Sequence, residues 1–106
     1  MSLAPFQEMP WVDVAPFARE KRVDCQTHTL RLVEFQRGFV EHDWCEKSHY
    51  GYVVDGRFTV QFDHSLVEYA EGDGIYISPG FESRHKAIVE DEVVIFLVEP
   101  RTEIRD

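Results

Sequence analysis

Asp43, Cys45 and His49 set a carboxylate, a thiol and an imidazole close together, and His85 supplies a second imidazole further along the chain. On an extended strand, residues two apart share a face, so Asp43, Cys45, Lys47 and His49 are expected to project together. Antiparallel neighbours lie about 4.8 Å apart, which lets His85 on an adjacent strand complete a pocket. One sulfur, two nitrogens and one oxygen form a donor set that suits Zn²⁺, and Fe²⁺ fits if the sulfur stays out of the first shell. If all four bind, a zinc site is closed and of the structural kind, whereas an open position supports Lewis-acid chemistry or activation of water or dioxygen. A second chemistry is thiolate reactivity at Cys45, with Lys47 lowering its pKa and His49 acting as base. Each residue also has a plainer reading: Cys45 as a small buried apolar group, Asp43 as a capping carboxylate, His49 as a packing residue. His28, His42 and His64 read as exposed or turn histidines.

These side chains need strands to carry them. Leu30 to Phe35 is a β-type run, followed by Gly38, and Phe39 to Val54 is a longer one ending at Asp55-Gly56, a strong hairpin signal. Beyond it Phe58, Val60 and Phe62 alternate with Thr59, Gln61 and Asp63, so one face is buried and the other wet. Turn residues recur at Asp63-His64-Ser65, Glu71-Gly72-Asp73-Gly74 and Ser78-Pro79-Gly80, with Val67 to Ala70 and Ile75 to Ile77 between them. The run Val93 to Val98 lacks polar alternation and is expected to be central and covered on both faces. Trp44, Tyr50 and Tyr52 are expected on the face opposite the donors. Residues 1–26, with Pro5, Pro10 and Pro16, read as an irregular N-terminal arm packing on a barrel formed by residues 27–106. Many short strands and regular turns make the fold all-β.

Composition narrows the function classes. The chain has 106 residues, enough for one domain, and its 43% hydrophobic fraction supports a packed core rather than disorder. Eleven Lys and Arg against 20 Asp and Glu give a net charge of −9, which opposes nucleic-acid binding. No apolar run is long enough to span a bilayer, and the N-terminal residues lack the pattern of a secretory signal. With only Cys25 and Cys45, both thiols are expected free, as in a reducing cytoplasm.

At this point the sequence resembles the cupins, small barrels with two short signature motifs. The first motif typically reads His-x-His, then Glu, then Gly; Asp43-x-Cys45, His49 and Gly56 stand at matching spacing. The stretch Tyr52 to Val60 resembles the strand–turn–strand that follows the family's glutamate, and Gly72 to Gly80 resembles the first half of the second motif. Trp44-Cys45-Glu46-Lys47 followed by His49 also looks like a subgroup of single-domain cupins without an assigned activity. The similarity covers about Leu30 to Glu99. It departs from the pattern at both first-motif histidines, at the glutamate, and at the second-motif histidine, where Ser83 stands and His85 follows two residues later.

The resemblance implies a double-stranded β-helix of two facing antiparallel sheets, a ligand pocket in the barrel mouth, and a homodimer. It also implies a divalent metal, zinc or iron, acting on a small polar metabolite, with Asp43, Cys45, His49 and His85 as the ligand candidates. The alternative is a non-catalytic cupin that has lost the usual ligands and binds or senses a small molecule. Apolar side chains on both faces of Tyr50 to Val54 fit burial against the N-terminal arm or a partner subunit.

Overall fold

The computed structural model describes residues 2–101, and all of them that form regular structure are strands apart from two short 3₁₀ turns. Met1 and residues 102–106, the ends of the expected arm and barrel segments, lie outside the described residues. The strands are β1 (Val12–Ala15), β2 (Ala18–Asp24), β3 (His28–Phe35), β4 (His49–Gln61), β5 (Leu66–Ala70), β6 (Gly74–Ile77), β7 (Lys86–Ile88) and β8 (Val93–Pro100). All pair antiparallel in the order β1-β2-β3-β8-β4-β5, with β6 and β7 also on β4.

β4 makes this a curled barrel. Its first half lies between β6 and β8, and its second half between β5 and β7, so one strand belongs to both facing sheets. The Asp55-Gly56 pair expected to close a hairpin lies inside β4 instead. A register shift between Val53 and Asp55 bends the strand there, and Gly56 takes φ +83° opposite Val93. A Cβ at Gly56 would lie 2.4 Å from the Glu92 carbonyl oxygen. The dipeptide favours a left-handed backbone, and a bulge uses that conformation as readily as the expected turn does. Gly51 is needed for a different reason: its Cβ would come within 1.8 Å of the Phe96 carbonyl, so β4 and β8 close up only without a side chain.

β8 is central, between β3 and β4, as its unbroken apolar run requires. Val93, Ile95 and Leu97 point into the core with Val33, Val53, Phe58, Val60, Ile75 and Ile77. The opposite face of β8 is half-buried, and the Phe6 ring meets Phe96 there at 6.1 Å between centroids. The segment read as an irregular arm is more ordered than its prolines imply, because β1 and β2 extend the sheet beyond β3. Pro16 stands in the turn between them and removes no ladder bond, while the charges of β2 (Arg19, Glu20, Lys21, Arg22) hide its alternation. Arg19 pairs with Glu34 across the β2–β3 ladder. Among the described residues no helix is long and apolar enough to cross a membrane.

Candidate functional site

The segment before β4 is not a strand. Regular pairing begins at His49, and Cys45 is held by an isolated bridge to His85, each backbone N–H donating to the other's carbonyl at 2.9 Å. The Gly80 N–H donates to the Glu46 carbonyl at 2.8 Å, which fixes the Ser78–Gly80 turn to the same segment. His85 precedes β7, and His49 opens β4. Three elements thus bring Cys45 Sγ and one nitrogen from each of His49 and His85 within 4.8 Å of one another, a group able to hold a metal ion.

Asp43 does not join them. With bends at Asp43 and Lys47, the two-residue alternation expected from 43 to 49 fails; Asp43 is exposed and outside both the cluster and the cavity lining. Ser83, at the second-motif histidine position, contributes only its carbonyl, which accepts from His85 Nδ1 at 3.0 Å. Tyr50 and Tyr52 lie on the outer face as expected, whereas half-buried Trp44 stacks under Arg84 and Lys86. His28, His42 and His64 are exposed.

The ring orientations are set by the far nitrogens. His49 Nδ1 donates to Glu99 Oε2 at 2.6 Å, leaving Nε2 aimed at Cys45 Sγ, 3.5 Å away. His85 Nδ1 is engaged by the Ser83 carbonyl, and its Nε2 is buried without a partner. Behind His49 runs a chain of buried charge: Arg31 Nη1 donates to both oxygens of Glu99 at 3.1 and 3.0 Å, and Arg31 Nε donates to Glu20 Oε1 at 2.7 Å. A guanidinium between two carboxylates keeps each of them paired, which burial demands.

These contacts shift the titrations. Burial pushes the Cys45 thiol up, but the hydrogen bonds from His49 and the Lys47 backbone, the nearby His85 ring and the His49 charge outweigh it and bring the thiol down to about 6. Burial likewise opposes charge on His49, yet its bonds to Cys45 and Glu99 hold it at about 9. Glu99 is lowered: burial acts against it, and His49 and Arg31 prevail. In the metal-free state, Cys45 and His49 therefore form a thiolate–imidazolium pair backed by a carboxylate. The backbone of Lys47, rather than its ammonium, is the contributor from that residue.

Sequence reasoning missed Glu99, Arg31 and Glu20. Alternation carried the signal: Val93, Ile95 and Leu97 face inward, so Glu99 must as well, and Val33 places Arg31 on the same side of β3. All three line a cavity of about 780 Å³ inside the barrel, together with Cys45, His49 and His85.

No family model and no curated protein matches the chain. Solved structures do. KdgF from Halomonas sp. is 28% identical with a TM-score of 0.72, over 92% of this chain and 93% of its own. An RmlC-like cupin from Shewanella frigidimarina NCIMB 400 is 16% identical with a TM-score of 0.77, over 99% of this chain and 96% of its own. The polyketide cyclase RemF from Streptomyces resistomycificus is 17% identical with a TM-score of 0.80, over 94% of this chain and 79% of its own. The chain therefore has the β-barrel fold of the small single-domain cupins.

The thiolate pair is directly measurable. In chelator-treated Cys25→Ser protein, the rate of Cys45 alkylation by iodoacetamide is expected to rise with pH around a midpoint near 6. His49→Gln removes the main donor and moves that midpoint toward the ordinary thiol value of about 8.5. An unchanged midpoint in the variant contradicts the pairing.

Proposed function

We propose that this cupin binds one divalent transition metal through Cys45 Sγ, His49 Nε2 and His85 Nε2, and presents it to a small-molecule ligand in the barrel cavity. The observation that carries this reading is His85 Nε2: a residue 4% exposed buries a ring nitrogen with no hydrogen-bond partner, within reach of a thiol and a second imidazole. An orphaned buried acceptor costs about 1–3 kcal/mol, a cost that coordination removes. Both histidines also have Nδ1 engaged by an oxygen, the outer-shell arrangement that fixes a metal-binding tautomer. The Cys-His₂ donor set supports zinc, and iron remains the second choice.

With Asp43 absent, three protein ligands would be one short of a closed four-coordinate zinc site, which favours a ligand-processing site over a structural one. A divalent metal there supplies Lewis acidity toward a ligand oxygen or activates bound water. The chain's own contribution is positional and electrostatic. Glu99 holds the His49 ring in place and keeps the Nδ1 proton on it, and Arg31 keeps Glu99 ionised. Lining of the cavity by both apolar and charged side chains supports a ligand pocket in its own right. Two free cysteines support a reducing, cytoplasmic setting.

The outer face of β4 and β6 supports a homodimer. Tyr50, Tyr52, Val54 and Tyr76 form an apolar patch there, with Tyr76 74% exposed and stacked on Tyr50 at 5.5 Å, and the N-terminal segment covers Phe96 instead. Light scattering coupled to gel filtration is expected to give twice the chain mass for the wild type and the chain mass for a Tyr52→Glu/Tyr76→Glu variant. A monomeric wild type contradicts the dimer.

Elemental analysis tests the metal directly. Protein purified without chelator or affinity metal is expected to carry about one transition metal per chain, lost in Cys45→Ser and His85→Gln and kept in Asp43→Asn. Glu99→Gln is expected to weaken metal affinity about 10- to 100-fold, as loss of an outer-shell carboxylate does. Metal-free wild type that gains none on incubation with zinc or iron overturns the reading and leaves a binding module.

A further inference from the structure

The cavity is sorted by polarity along its length. Inward positions on β3 read Thr29, Arg31, Val33, Phe35, and those they face on β8 read Glu99, Leu97, Ile95, Val93. His49 lies beside Glu99, so the donor cluster stands at the polar end. From Thr29 to Phe35 is about 20 Å at the rise of an extended strand. At the other end Phe35 stacks on Phe39 with centroids 4.4 Å apart and meets Phe58 at 6.4 Å. Glu20 lies beside Val33, but its carboxylate reaches back to Arg31, and the Glu41 carboxylate, also on the cavity wall, is taken up by the Ala87 N–H at 2.6 Å.

A volume of about 780 Å³ is large for the small polar metabolite the sequence implied. Such a molecule at the donor cluster leaves the phenyl wall facing water that finds few polar partners there, a poorly satisfied arrangement. A ligand matching both ends must be amphipathic. We infer that the cavity takes an amphipathic cyclic ligand, with an aromatic or alicyclic ring against Phe35, Phe39 and Phe58 and an oxygen-bearing edge at Cys45, His49 and His85. Arg31 adds a charged contact at the oxygen end, where its guanidinium lines the cavity while Nε and Nη1 hold Glu20 and Glu99. The oxygen end of this inference rests on the metal reading; the ring end rests on the phenyl wall alone.

Three hydroxamates of rising ring size separate the two. Acetohydroxamate, benzohydroxamate and 2-naphthohydroxamate are titrated calorimetrically into cobalt-loaded wild type and into metal-free Cys45→Ser protein. Affinity is expected to rise about tenfold or more from acetohydroxamate to benzohydroxamate and again to the naphthyl compound, from the added apolar burial. The order persists in Cys45→Ser with every ligand weaker, and Phe39→Ser lowers the naphthyl-to-methyl affinity ratio. If wild type takes up no cobalt, the metal reading fails, the two proteins behave alike, and the rank order still judges the ring site. Equal affinity across the series, a preference for acetohydroxamate, or no binding of any of the three overturns the inference.

Discussion

The site depends on the reciprocal backbone pair between Cys45 and His85. Those two hydrogen bonds, outside every regular strand, fix the segment ahead of β4 against the one ahead of β7. Without them Cys45 is on a free loop and His49 has a carboxylate behind it but no sulfur in front. Cross-strand pairing of this kind sets Cα separation within a narrow range, so thiol and imidazole are brought together by the backbone before their own attraction acts. The gain is precision, since a ligand placed by ladder hydrogen bonds moves less than one carried on a loop.

Behind that pair stands a line of buried charge that suits either a metal or a thiolate. Glu20, Arg31, Glu99 and His49 are linked by hydrogen bonds end to end, and each is at least partly withdrawn from water. Removing one member would strand its neighbours, so the chain behaves as a unit rather than as separate ion pairs. Its electrostatic effect is directional: carboxylate behind, imidazole between, sulfur in front. A cation held by Cys45 and His49 would take the place of the Nε2 proton that His49 carries without it, and the Glu99 carboxylate would stabilise both states.

Much of this was legible in the sequence, for identifiable reasons. Alternation of Phe58, Val60 and Phe62, the unbroken Val93 to Val98 run and the turn residues all report burial, which backbone geometry translates into strands directly. Cys45, His49 and His85 were legible as types at a spacing. Asp43 was wrongly grouped with them because alternation applies only where a strand exists, and the bends at Asp43 and Lys47 leave no local signature. β2 was hidden by charges that pair across the sheet, and Asp55-Gly56 by the shared chemistry of turns and bulges. Glu99 was available to the same alternation rule that placed Leu97, but its distance from the other donors in the chain concealed its partner.

The most direct test of the central claim is X-ray absorption at the zinc edge of the zinc-loaded protein. Convergence of Cys45, His49 and His85 on one ion predicts a single sulfur at about 2.3 Å and nitrogen or oxygen neighbours at about 2.0–2.1 Å, with the sulfur lost in Cys45→Ser. A shell of nitrogen and oxygen alone in the wild type, or one with two sulfurs, would contradict it.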